Sequence, residues 1–329
     1  MPRGMKNGVA IAINQTSIVN RPESFAQMQK VGPRVCITTA NSPDFLGFYA
    51  LIEVGSHPVG GRFGGAKVVN ADSLQAIMDD PSAININPLK LWQYTVWNNP
   101  DAHEKMHAEN FERIFELCSD CLTMVVEGPQ EPVFEVVASD MPPIDAMVDL
   151  PAQMGAAFAK QQPVPKARLQ LQRLVAIGEH KLKKGTEAEF EKGVVATLNT
   201  LKKEAPGMIG WMVMKRLGEA ALGPLQFGPK EVWQSLETLG ANPPDEPRTV
   251  CGIYGKDYDG VAIPHEGYPE YYVHTEWQDP TALMFGLSLP AVNPEIRKIH
   301  DEGVMEHLVS SPPYYRVFAP MMEDMIAFH

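Results

Sequence analysis

The chain has 329 residues, 44% hydrophobic and 21% charged, which is ample material for a large buried core. Its net charge of −12 is spread without any basic cluster, and this argues against nucleic acid as a partner, because phosphate binding needs concentrated Lys and Arg. Four cysteines in so long a chain make no disulfide framework, no stretch approaches the roughly 18 apolar residues of a membrane span, and Met1-Pro-Arg-Gly-Met-Lys6 leads into no apolar signal core, so the expectation is a cytoplasmic protein without membrane contact.

In chain order, the β-branched run Arg34–Thr39 predicts a short strand with Cys36 inside it. Pro43-Asp-Phe-Leu-Gly-Phe48 runs into an apolar strand reaching Val54. The glycine-rich passage Gly60–Lys67 lacks any phosphate-cradling pattern and reads as turn structure. Residues 70–90 read as loop with a short helix, and Leu91–Trp97 as a strand. The stretch Asp101–Cys121 has no internal Pro or Gly and predicts one helix. Val133–Ala138 predicts the closing strand of this first half.

After a connection over residues 141–166 the same grammar restarts. Arg173–His180 reads as a strand. Thr186-Glu-Ala-Glu189 reads as a capping box opening a helix with Phe190, Val194, Leu198 and Leu201 on one face, ended by Pro206. Pro206-Gly-Met-Ile-Gly-Trp211 matches Pro43–Phe48, and Phe227-Gly-Pro-Lys230 resembles Phe63-Gly-Gly-Ala-Lys67. Trp277-Gln-Asp-Pro-Thr-Ala282 matches Trp97-Asn-Asn-Pro-Asp-Ala102 most closely of all. The expectation is a duplication: one α+β domain of two repeats, 1–165 and 166–329, with two sheets facing as a barrel-like core and helices outside.

The chemistry concentrates in the 101–121 helix. At about 100° per residue, His103, His107, Cys118 and Cys121 fall within roughly 60° of arc, on a face shared with Phe111, Ile114 and Phe115. Two histidines at i and i+4 can converge on one metal. Cys118 lies 11 residues past His107, roughly 16 Å along an unbroken helix, while metal–ligand bonds are only about 2 Å long, so the thiols form a separate pair along the wall. Glu131, in Gly128-Pro-Gln-Glu-Pro132, is the nearest third ligand. Two His and one carboxylate with open positions opposite make the ligand set of non-haem iron(II) oxygen-activating sites. The second repeat has Leu283 and Leu287 at the histidine positions and is expected to bind no metal.

Other readings stay open. His103-Glu-Lys-Met-His107 matches H-E-x-x-H, which in a zinc hydrolase makes Glu104 the general base. A peptidase, however, needs no thiols along its site. A non-catalytic barrel with a structural metal is the other alternative. Cys36 and the Cys118–Cys121 pair have the plainer reading of buried packing, and His180, His300 and His307 that of core or solvated histidines. No nicotinamide or flavin motif is present.

Val31-Gly-Pro-Arg-Val-Cys36, Arg62–Lys67, His103–His107, Cys118-Ser-Asp-Cys121, Gly128–Pro132, Ala282-Leu-Met-Phe-Gly286 and Pro320-Met-Met-Glu323 occur in order along nearly the whole chain. In this the sequence closely resembles the sulfur oxygenase reductases of sulfur-oxidising archaea and bacteria. The resemblance implies duplicated ferredoxin-like units forming a β-barrel surrounded by helices, of the dimeric α+β barrel type. It implies a mononuclear iron at His103, His107 and Glu131, and neither haem, flavin nor nicotinamide. Cys36 would carry a persulfide, with Cys118 and Cys121 assisting, in oxygen-dependent disproportionation of elemental sulfur to sulfite, thiosulfate and hydrogen sulfide. It also implies a hollow homo-oligomer of 24 subunits. Met321 and Met322 would line the way into the pocket. Phe158 holds one of the positions where family members place pore phenylalanines, whereas Leu150 holds the other beside Met147, a departure that bears on pore gating.

Overall fold

The computed structural model describes residues 8–58, 88–119, 121, 124–141, 173–220, 263–264, 267–309 and 314–320. The first half runs β1 (Ala10–Ile18), α1 (Pro22–Ala40), β2 (Phe45–Pro58), β3 (Leu89–Trp97), α2 (Pro100–Ser119), β4 (Val125–Gln130) and β5 (Pro132–Ser139). The second runs β6 (Leu174–Lys181), α3 (Glu187–Glu204), β7 (Met208–Glu219), β8 (Ile263–Pro264), β9 (Glu270–Trp277), α4 (Pro280–Val292), α5 (Pro294–Gly303) and β10 (Tyr314–Pro320). The expected boundary at 165/166 lies outside the described residues.

All strand pairings are antiparallel. Their order is β3-β2-β10-β6-β9-β7-β5-β1, and β1 pairs back onto β3, which closes the ring. The two expected facing sheets are therefore one continuous barrel. Period-two alternation divides its side chains between two cores. Ile11, Ile13, Leu51, Trp92, Phe134 and Phe318 belong to a cluster that includes no helix residue and fills the interior. Trp97, Ile114, Leu198, Trp277 and Leu287 belong to the second cluster, between the barrel's outer face and the helices. Fully burying one such apolar side chain contributes about 1.5–3 kcal/mol, so the two faces of the wall share the stabilisation.

The duplication extends to individual atoms. Trp97 Nε1 donates to Thr95 Oγ1 at 2.8 Å, and Trp277 Nε1 to Thr275 Oγ1 at 2.9 Å. Thr95 Oγ1 reaches Ala12 O, and Thr275 Oγ1 reaches Ala176 O. The β2–β3 ladder slips between Phe45 and Gly47, and the β7–β9 ladder between Met208 and Gly210. Asn99 caps α2 by accepting from Ala102 N at 2.8 Å, and Asp279 caps α4 by accepting from Ala282 N at 2.8 Å. In each half a proline then occupies the first helical position, where its missing N–H costs no helical hydrogen bond.

Three local expectations are overturned. Arg34–Thr39 is not a strand: it closes helix α1, preceded by a nine-residue strand that the sequence reading did not separate from the N-terminal stretch. Helix propensity is poor there, since Pro33 lacks an N–H and the run is β-branched, but α1 packs along α2, and Thr38 and Thr39 hydroxyls bond the Arg34 and Val35 carbonyls. Thr186–Glu189 is not a capping box, because the Thr186 hydroxyl donates to Lys183 O and makes no side-chain cap. The helix it precedes does bury Phe190, Val194, Leu198 and Leu201 as expected. Finally, α2 stops at Ser119, and Cys121 lies in the turn beyond, with Cys121 N bonded to Cys118 O at 2.8 Å. Among the described residues no helix is long and apolar enough to cross a membrane.

Candidate metal centre

The site lies between the barrel's outer wall and α2. The cap at Asn99 and Pro100 fixes where α2 begins, and this places His103 and His107 on successive turns of its inner face, four residues apart. Glu131 occupies the single position between β4 and β5, which both pair with β1, Gln130 opposite Gln15 and Val133 opposite Ala12. Its carbonyl accepts from Ala220 N at 2.8 Å, so the backbone holding the carboxylate is tied to the end of β7.

The three side chains converge. Ligand atoms of His103, His107 and Glu131 all lie within 4.8 Å of one another, and all three residues are buried. His103 Nε2 stands 3.5 Å from Glu131 Oε1, and His107 Nδ1 stands 3.8 Å from Glu131 Oε2. The imidazole centroids are 4.2 Å apart. His103 Nε2 is fully buried and makes no hydrogen bond, with Glu131 Oε1 3.5 Å away. Buried polar atoms are normally satisfied, so a buried imidazole nitrogen without a hydrogen bond, facing a carboxylate, suits a metal ligand. The donor set fits a first-row metal with positions left open.

Charge distribution follows from this packing. Burial disfavours a charged His103 ring, but the Glu104 and Glu131 carboxylates outweigh it and raise its pKa to about 9. Burial, with His103 beside it, holds His107 well below the usual imidazole range. The cluster therefore retains a cation against its carboxylates, and a metal ion would displace that proton. Burial also pushes the Cys118 thiol up to about 12, with Cys121 and Glu131 adding to the effect. Cys118 is thus a neutral thiol at ordinary pH.

Two neighbours complete the surroundings; Trp97 was not singled out from sequence, whereas for Glu104 an iron site left it either facing away from the metal or contacting a ligand from behind. Trp97 meets His103 edge-on, with ring centroids 5.3 Å apart. Glu104, fully buried, lies 2.8 Å from His103 Nδ1, on the opposite side of the ring from Glu131. A general base must reach the metal's open side, so this carboxylate is badly placed for the hydrolase reading. Cys36 lies in α1, the helix packed against α2, but its side chain falls outside the described residues, as do Met147, Leu150, Phe158, Met321, Met322 and Cys251.

Solved structures align along nearly the whole chain. One is described as an anthrone oxidase-like protein, with 12% identity and a TM-score of 0.49, covering 97% of this chain and 94% of that one. Another is a haem complex of Rhodococcus jostii DypB, with 10% identity and a TM-score of 0.39, covering 99% and 96%. The model of the sulphur oxygenase reductase family matches residues 6–328, and with that match over a barrel bearing a buried His–His–Glu cluster the chain belongs to the sulphur oxygenase reductases.

Proposed function

We propose that this protein carries out the oxygen-dependent disproportionation of elemental sulfur to sulfite, thiosulfate and hydrogen sulfide, with a mononuclear non-haem iron as its metal. The observation that carries the reading is the convergence of two buried imidazoles and one buried carboxylate within 4.8 Å in a member of an oxidoreductase family that acts on sulfur. His103, His107 and Glu131 would hold the iron, which when bound supplies Lewis acidity, redox capacity and vacant positions.

The other roles belong to the chain. The Cys36 thiolate attacks an S–S bond of the sulfur ring, forming a new bond from its Sγ as the ring bond breaks, and the opened chain ends in a terminal sulfide. Cys118 keeps its proton, and with Cys121 it lines the wall as an assisting thiol. Trp97, Ile114 and Leu117, all buried, keep the site dry. Sulfur oxidised to sulfite delivers electrons both to O2 and to the sulfur reduced to sulfide, and sulfite combines with further sulfur to give thiosulfate.

The same reading makes the protein a cytoplasmic, hollow assembly of 24 copies in which one domain, divided as 1–165 and 166–329, carries its metal in the first repeat only. Met147, Leu150 and Phe158 would govern passage through the shell, and Met321 and Met322 passage into the pocket. The test is metal analysis of freshly purified protein alongside sulfite and sulfide release from sulfur under air. One iron per chain and both products are expected. Stoichiometric zinc in active protein would favour the hydrolase, and bound metal without sulfur turnover would favour the structural role.

A further inference from the structure

We infer that Glu104 is a positioning residue for the metal: its buried carboxylate accepts from His103 Nδ1–H and so fixes the tautomer and aim of His103, leaving Nε2 free to donate to the ion. This rests on the reading that His103, His107 and Glu131 bind a metal.

Geometry comes first. Glu104 Oε1 and His103 Nδ1 are 2.8 Å apart, the length of a charge-assisted bond, and both residues are 0% exposed. The other ring nitrogen is the buried atom without a hydrogen-bond partner, 3.5 Å from Glu131. A neutral imidazole carries one proton. With Nδ1 holding it against a carboxylate, the Nε2 lone pair necessarily points at the cluster. Metal-bound histidines commonly have such a carboxylate behind them, which orients the ring and raises its basicity.

The second argument is the cost of the arrangement. A fully buried carboxylate is expensive unless paired and hydrogen-bonded, and the helix offers exposed positions to an acidic residue, as Glu109 shows one turn on. The second repeat tests whether the fold itself wants an acid there. Counting from Trp97 and Trp277, Glu104 corresponds to Met284, which is 38% exposed. Where the histidine has become Leu283, the carboxylate has gone too. The fold therefore does not require an acid at this position, and in the half that has one it pairs with a histidine.

The experiment uses the full-length protein stripped of metal and titrated with Co(II), reading both the dissociation constant and the visible d–d spectrum. Glu104→Met removes the acceptor but keeps bulk. It should weaken Co(II) by roughly 10–100-fold and change the spectrum, as a misaimed or wrong-tautomer His103 requires. Glu104→Gln can still accept through its amide oxygen and should fall between Met and the wild type. A packing role would leave both variants like the wild type, since Met and Gln fill the same space; Co(II) binding and spectrum unchanged in Glu104→Met overturns the inference. His103→Ala separates the underlying premise. If it binds Co(II) as well as the wild type does, or if the wild type takes up none, the metal site itself is wrong and Glu104's role falls with it.

Discussion

Helices α2 and α4 occupy matching places in the two halves and begin with matching caps, yet they have opposite chemistry. In α2 the inner face carries His103, Glu104 and His107, and the outer face carries Lys105, Glu109 and Arg113. In α4 the inner positions are Leu283 and Leu287, buried at 3% and 2%, and the outer face bears Met284, Phe285 and Val292 without one charge. The strand register extends the contrast. Phe134 pairs with Ile11 as Phe318 pairs with Val175, so Glu131 corresponds to Tyr315. All three ligand positions are therefore apolar or aromatic in the second half, and the barrel closes all the same. The fold does not need the site; the site was set into one of two equivalent niches.

The largest test swaps one niche's chemistry into the other. The double substitution His103→Leu, His107→Leu should abolish metal binding and reduce sulfur turnover at least about 1,000-fold, the order of loss when a reaction's electrostatic centre is removed. Circular dichroism should show the fold intact, because Leu283 and Leu287 pack at those places in the second half. Residual stoichiometric metal, held by Cys118 for example, would break the comparison.

The thiols come next, since all three assigned cysteines belong to the half with the niche. Cys36→Ala should remove sulfite, thiosulfate and sulfide together while iron stays bound. Cys118→Ala and Cys121→Ala should lower turnover without eliminating it. Because Cys118 does not ionise until about pH 12, its replacement should leave the shape of the activity profile between pH 6 and 9 unchanged. Equal residual activity in the three variants would strip Cys36 of its special role.

How much of this was legible depends on what each residue answers to. That His103 and His107 converge was readable because spacing on a helix is a local property: i and i+4 face one way whatever surrounds them. Helix α1 was not, because Val35, Cys36, Ile37, Thr38 and Thr39 look like a strand and only packing on α2 makes them helical. The duplication held the correction. Helix α3 precedes Pro206–Trp211 as α1 precedes Pro43–Phe48, so the strand–helix order visible in the second half applied to the first. That Glu104 would sit behind a metal ligand was one of two places an iron site left for it, but its contact with His103 in particular was not legible, because neighbours in sequence on a helix normally diverge by about 100° and only rotamers bring them together. The same holds for Gly286, where a Cβ would stand 2.1 Å from the Trp277 ring, although Met106 fills the matching position in α2.

A subtler asymmetry concerns acid. His180 is buried with its Nδ1 donating to Gly178 O at 3.0 Å, beside Phe190 and Tyr315. Burial lowers its pKa to about 4, against the backbone bond and with His300 assisting. By the matching ladders β1–β3 and β6–β9, the first half has Thr16 at this place. As pH falls from 6.5, the unfolded chain takes up a proton that the folded chain refuses until about 4. Stability is thus present above that window and falls through it by about 3 kcal/mol. His180→Leu should lower the melting temperature at pH 7.5, for the bond to Gly178 O is lost, yet flatten the decline toward pH 4.5. An undiminished decline would assign the acid sensitivity elsewhere.

The smallest effect lies in the second niche itself. A cavity remains there, lined by Val194, Leu198, Leu287, His300, Val304 and Tyr315, among others. Leu287 and Tyr315 stand at the positions of His107 and Glu131, so this is the apolar counterpart of the metal centre. Leu287 stands where the first half has histidine, and the neighbours do not fill the space beside it; a void forfeits the dispersion contacts of its lining. Val194, 2% exposed on α3, can carry one more methylene into it. Val194→Ile should therefore raise stability by up to about 0.8 kcal/mol, a small upward shift in melting temperature. It should leave iron content and sulfur turnover untouched, because it acts only in the half without the His–His–Glu cluster. A fall in melting temperature would mean that the void is already closed to one methylene. A change in iron content would mean that the two niches are coupled across the barrel wall.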